Sequence, residues 1–166
     1  MAKIASKKKG NRAELYIANL LTKRFVKSFK RVPMSGGWAT TNNLQETRKD
    51  AVQFFSGDII CPPDFKFSVE VKSRSNFNFW DLLNKENTEV DDWISQAEKQ
   101  AEIAKKEFLL IVRVNNRKPF VILKHPDPAN MWLAVIYGGV IYKNIYDIIR
   151  LDYLLELGDT FFFVKL

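Results

Sequence analysis

The chain has 166 residues, 46% of them apolar, which is enough for a hydrophobic core and predicts one domain over residues 1–166. A lone cysteine, Cys61, excludes an internal disulfide and fits a reducing cytoplasm, while a lone histidine, His125, excludes nucleases built on several histidine ligands and leaves too few ligands for a zinc site. The net charge of +7 points to a polyanionic partner, nucleic acid first.

The surplus is concentrated near the start. Lys3, Lys7, Lys8, Lys9 and Arg12 precede the first acid, Glu14, and Lys23, Arg24, Lys27, Lys30 and Arg31 follow. Residues 1–10 are expected to form a flexible basic arm for DNA; no secretory signal or membrane-spanning apolar run is visible. From residue 11 to about 28, Ala13, Ile17, Leu20, Leu21 and Phe25 recur at helical spacing. Val32-Pro33-Met34-Ser35-Gly36-Gly37-Trp38 breaks that pattern, and the polar stretch Thr40 to Asp50 is long for a structureless loop.

Ser56-Gly57-Asp58-Ile59-Ile60 and Ser68-Val69-Glu70-Val71-Lys72-Ser73 read as short buried strands, with Pro62-Pro63 and Asp64 supplying the turn. A hairpin centred near Asp64 sets Asp58 almost opposite Glu70. Two facing carboxylates repel. A cation between them removes the penalty, and for hard oxygen ligands that cation is most often Mg²⁺, with Mn²⁺ as a substitute. Glu70 and Lys72 are two apart on a strand and share a face, which puts an ammonium group beside the acid pair. That combination suits phosphodiester hydrolysis.

Phe77-Asn78-Phe79-Trp80 is unusually aromatic for a connection, and Phe77, Phe79 and Trp80 are expected to be core or dimer interface rather than base-stacking residues. Trp93 to Lys106 reads as a helix with Asp92 as N-cap, on which Gln96 and Lys99 are spaced to face the site. Phe108 to Val114 is a strongly apolar strand, followed by an Asn115-Asn116 turn and a strand at Phe120 to Leu123. His125, in a Lys-His-Pro-Asp-Pro segment, is expected at the surface. Trp132 to Tyr137 and Val140 to Lys143 flank Gly138-Gly139 as a hairpin; Ile145 to Leu157 is predicted helical and Thr160 to Lys165 a closing strand. Residues 126–166 then extend the core of an α/β domain with a mixed sheet flanked by helices. No Gly-rich phosphate loop is present.

Taken together, Glu14, Asp58 and Glu70-x-Lys72 resemble the PD-(D/E)XK nuclease superfamily, with the aspartate written Gly57-Asp58 rather than Pro-Asp. Within it, residues 7 to 123 are similar to archaeal-type Holliday junction resolvases. Three segments carry the likeness: Lys9-Gly10 with Glu14-Leu15; Arg31-Val32-Pro33-Met34-Ser35-Gly36; and Gly57-Asp58-Ile59-Ile60 followed by Val69-Glu70-Val71-Lys72-Ser73-Arg74. The resemblance implies a restriction-endonuclease-like fold. It also implies a homodimeric, Mg²⁺-dependent endonuclease that nicks four-way or other branched DNA in a symmetric pair, and a viral source fits it. The implied metal ligands are Asp58, Glu70, the Val71 carbonyl and Glu14. Lys72 would act on the attacking water or the phosphate, and Ser35 would bind the scissile phosphate. Lys7, Lys8, Lys9, Arg12, Arg31 and Arg74 would contact the DNA backbone. Two alternatives are a restriction-like or repair endonuclease on duplex DNA and a non-catalytic DNA-binding protein on this scaffold. An RNase-H-like site of carboxylates alone is disfavoured by Lys72.

Overall fold

The computed structural model describes residues 2–33, 56–83, 88–125 and 132–164, and within these no side-chain detail at residues 2–9, 83 and 88. Ser35 and the polar stretch Thr40 to Asp50 lie outside the described residues, as does the second half of the Arg31 to Gly36 segment.

Helix α1 spans Ala2–Phe25 and so starts at Ala2 rather than near residue 11. Its buried stripe is Ala13, Ile17, Ala18, Leu21 and Phe25, the spacing of one helical face. A two-residue β1 (Lys30–Arg31) and β2 (Ile59–Ile60) lead to the long β3 (Phe67–Arg74). A 3-10 turn (Phe79–Leu83) then precedes α2, which covers Thr88–Ala104, so that Asp92 lies inside the helix and not at its cap. Next come β4 (Glu107–Val114) and β5 (Phe120–Lys124).

The seven strands form one mixed sheet in the order β1-β2-β3-β4-β5-β7-β6. Among the described residues only β3 and β4 pair in parallel, with Glu70 beside Leu110 and Lys72 beside Val112. Their link through α2 is a βαβ crossover, which parallel strands require. Val69, Val71, Leu109 and Ile111 pack under α1, whereas Leu110, Val112 and Val114 pack under Val90, Trp93, Ile94, Ala97 and Ala101 of α2. β4 is therefore covered on both faces and reads as a continuous apolar run.

The carboxyl-terminal third departs from the sequence-based expectation. Leu133–Ile136 is a helical turn, α3; β6 (Val140–Tyr142) and β7 (Tyr146–Arg150) make the hairpin, and two short helices follow, α4 (Leu151–Leu154) and α5 (Asp159–Phe162). The hairpin turn falls at Lys143-Asn144, both at positive φ (51° and 54°), not at Gly138-Gly139. Gly139 has a different duty: a Cβ there would sit 2.1 Å from the Ile148 carbonyl oxygen, so it lets the chain pass close to β7. Ile145 to Leu157 misreads as a helix because Ile148 and Ile149 are buried on opposite faces of the sheet. A strand covered on both sides has no period that separates it from a helix. The predicted closing strand reduces to one bridge between Phe163 and Phe65, inside a cluster of Phe25, Phe29, Phe65, Phe162 and Phe163.

His125 is buried, not exposed. Its Nδ1 lies 2.9 Å from Asp147 Oδ2, its ring stacks on Trp132 at 3.9 Å, and Asp147 Oδ1 accepts the Ala134 N–H at 2.8 Å. The pair ties β5, β7 and α3 together.

Candidate active site

The predicted hairpin register is realised. Ile59 pairs with Val69, which places Asp58 opposite Glu70. The Asp58 N–H donates to the Val69 carbonyl at 2.8 Å, and Asp58 Oδ2 accepts the Val71 N–H at 2.9 Å. The aspartate thus ends the β2–β3 ladder by replacing a backbone acceptor with its side chain. Since a strand residue aims its N–H and C=O to one side, the Val71 carbonyl also points past the end of β2, toward the same gap.

Gly57 makes this exit possible. It has φ +86°, and a Cβ would meet the Val69 carbonyl oxygen at 2.7 Å. Gln100 Oε1 accepts the Gly57 N–H at 3.3 Å. At the other end of the hairpin, the Phe65 cluster and the Phe65–Phe163 bridge fix the turn, and with it the register.

Glu70 and Lys72 project from the α2 face of β3 and meet each other: Lys72 Nζ donates to Glu70 Oε1 at 2.9 Å. Gln96, one turn before Gln100 on α2, closes the group. Its Oε1 accepts from Lys72 Nζ at 2.7 Å and its Nε2 donates to Glu70 Oε1 at 2.7 Å. The sequence suggested Gln96 by its spacing; Gln100 was missed, because a glutamine that holds a backbone N–H leaves no pattern in the chain. Lys99 is exposed.

Burial, and next the Glu70 charge, push the Asp58 carboxyl up to about 7; Glu14 raises it further, while the Val71 N–H and Lys72 oppose the shift. The cost of bringing two carboxylates together is therefore expressed at Asp58. A divalent cation fits this arrangement, because hard oxygen donors converge on excess negative charge with little solvent. Among the described residues no three His, Cys, Asp or Glu side chains gather as a metal-binding group. The candidate set is thus two carboxylates with the Val71 carbonyl, to be completed by solvent and substrate.

Glu14 is buried on α1, and its Oε2 accepts from Arg31 Nε at 2.7 Å. The structure brings it near Asp58 electrostatically but engages it with β1. Arg31, expected on DNA, is held in that ion pair. Arg74 is likewise bonded to Glu89 Oε1 at 2.6 Å and lies 4.6 Å over the Trp93 ring. Arg12 is exposed. Ser35 and the side chains of Lys7, Lys8 and Lys9 lie outside the described residues.

An acid pair at the end of a short hairpin, a lysine one step along the strand and a helix clamping both are set in a mixed sheet with helices on each face. The family described as "Phage putative PDDEXK endonuclease" matches residues 5–152. The chain belongs to this phage PDDEXK endonuclease family. It is a PD-(D/E)XK nuclease-superfamily protein with a restriction-endonuclease-like fold. It is also similar to Protein D14 of Escherichia phage T5, 25% identical over 130 residues that make up 75% of this chain and 74% of that protein. Family and relative alike are of phage, which supports a viral origin. No solved structure matches. No helix among the described residues is long and apolar enough to cross a membrane. PD-(D/E)XK nucleases usually work with divalent metal ions, in keeping with the donor set at Asp58 and Glu70.

Proposed function

We infer that this phage PDDEXK endonuclease hydrolyses branched DNA, four-way junctions in particular, by paired symmetric nicks. The observation that carries the chemistry is the register of Asp58 against Glu70, with Lys72 bonded to that same glutamate. The choice of a junction rests on the likeness of the Lys9 to Glu14, Arg31 to Gly36 and Gly57 to Arg74 segments to archaeal-type resolvases. A twofold substrate is best cut by a twofold protein with one site per strand, so the enzyme acts as a homodimer. The chain is one nuclease domain in which residues 126–166 extend the core.

Asp58, Glu70 and the Val71 carbonyl would hold Mg²⁺ or Mn²⁺, which supplies Lewis acidity and a water of lowered pKa when bound. Lys72 positions a water or steadies charge on the phosphate. Gln96 sets the Lys72 rotamer for that role. Glu14 orients water at the back of the site, and Ser35 hydrogen-bonds the scissile phosphate. Lys7, Lys8, Lys9 and Arg12 contact the DNA backbone, where charge and shape, not base edges, govern binding.

The test is Mg²⁺-dependent cleavage of a labelled immobile four-way junction beside a linear duplex of the same sequence, with Glu70→Gln as control. Paired nicks in the junction alone, absent in the variant, support resolution. Equal cutting of both substrates replaces it with a duplex endonuclease. Tight binding without cutting under either metal leaves a DNA-binding protein.

A further inference from the structure

The carboxyl ends of β3, β4 and β7 and the amino end of β5 share one rim of the sheet, because β4 is parallel to β3 while β5 is antiparallel to β4 and β7. A groove of about 820 Å³ follows that rim, lined by Phe77, Phe79 and Phe120 and by Arg117, Lys118 and Arg150. Beyond Phe79 and Phe120 lies a smaller cleft of about 360 Å³, bordered by Tyr137 and Tyr153, whose rings stack 5.7 Å apart.

Phe120 belongs to the buried core and Phe77 packs on it and on Trp93, but Phe79 is 48% exposed; Trp80, beside it in the chain and outside the groove lining, is 76% exposed. Phe79 rests against Phe77 and Phe120 at 4.9 and 5.1 Å, and the rest of it is open to solvent. Asp152 holds both Lys118 and Arg150 in place. The Arg117 guanidinium has no side-chain partner among the described residues. Open aromatic faces interleaved with cations are the means by which proteins hold single strands, with bases stacked and phosphates neutralised. A cavity in the range of about 300–1,000 Å³ takes something of drug size, such as a nucleotide or two, whereas a duplex could lie only across its rim. The groove begins at Ser75, three residues past Lys72, or about 10 Å along an extended chain.

We propose that this groove holds an unpaired strand of the substrate as it leaves the cleavage site, with a base on Phe79 and phosphates on Arg117 and Lys118. A four-way junction offers such a strand where its arms open at the crossover, and a branch that carries a single-stranded arm offers one outright. The link to cleavage rests on the nuclease reading, but the strand-binding site does not.

The experiment measures anisotropy of a labelled short oligothymidylate in EDTA, for the native chain and for Phe79→Leu combined with Arg117→Ala, beside a blunt duplex. The native chain is expected to bind the oligomer, and the double variant to bind it about tenfold more weakly or worse, with duplex affinity changed less than about twofold. Should the double variant fail to fold, Arg117→Glu alone, at an exposed position, gives the same reading. Equal oligomer binding by native and variant chains, equal loss on oligomer and duplex, or a changed sedimentation coefficient with unchanged oligomer binding would each overturn the proposal. Metal-dependent cleavage is then scored on duplexes with and without a single-stranded arm. Oligomer binding that falls in the variant while nothing is cut upholds the groove and removes the nuclease reading. Cutting without any preference for the arm, where oligomer binding still falls in the variant, upholds the groove and the nuclease reading and overturns the link between them.

Discussion

Gln96 clamps Lys72: its amide oxygen accepts the ammonium at 2.7 Å, and its amide nitrogen reaches Glu70 Oε1 at the same distance. The lysine and the glutamate are therefore oriented by a third side chain from a different element. Replacing Gln96 with Leu should lower kcat/KM about 10- to 100-fold, as supporting groups around metal ligands typically do. Stability should change by less than about 1 kcal/mol, because Gln96 is exposed and outside the core. A structural role alone would shift the urea midpoint and leave the metal concentration at half-maximal rate where it was; a positioning role raises that concentration.

Asp58 predicts a pH signature. Burial and the Glu70 charge raise its folded pKa to about 7, above the ordinary 3.8. The folded state thus binds this proton more tightly than the unfolded chain does. The stability from this group is fully present below about pH 4 and is lost as pH rises through about 7. Thermal melts without metal should show that decline, and Asp58→Asn should flatten it. Mg²⁺ should raise Tm more at pH 8 than at pH 5, by mass action on the ionised pair. A melt that ignores Mg²⁺ at both pH values would count against a metal held by Asp58.

Gly57→Ala should be among the most damaging small substitutions. The position has φ +86° and a Cβ there lies 2.7 Å from the Val69 carbonyl oxygen. Strained backbone of this kind costs about 1–3 kcal/mol, readable as a lower urea midpoint. Cleavage should fall further than the lost stability explains, since the next residue is Asp58.

The buried His125–Asp147 hydrogen bond and a surface ion pair should separate in unfolding experiments. Asp147 is fully buried with His125 and the Ala134 N–H, so Asp147→Ala should cost about 3–5 kcal/mol. Asp159 meets Arg24 at 3.0 Å at the surface, and Asp159→Ala should cost less than about 1 kcal/mol.

Removing residues 1–9 deletes four lysines, Lys3, Lys7, Lys8 and Lys9. If all four neutralise phosphates, the slope of log K against log salt should shrink by roughly 3 to 4. An unchanged slope would mean that this stretch does not touch DNA.

The β2–β3 hairpin, its register and the side of the sheet that each of its residues takes were legible in the chain alone. Asp58, the Pro62-Pro63 corner and Glu70-x-Lys72 are local in the chain, and a period of two decides which side chains share a face. Tertiary structure decided the rest. Ile148 and Ile149 are buried on both sides, so their strand carries no alternation to read. The positive-φ turn at Lys143-Asn144 lacks the glycine that usually announces it. His125 is drawn inside by Asp147, 22 residues away in the chain, and by the Trp132 ring. Gln96, Gln100 and Arg31 acquire their partners only when α2 and β1 come to rest beside β3 and α1. A strand pair encodes its own register, but a hydrogen bond between distant elements exists only after the core has packed them together, and the apolar residues that pack them do not name the polar groups they deliver.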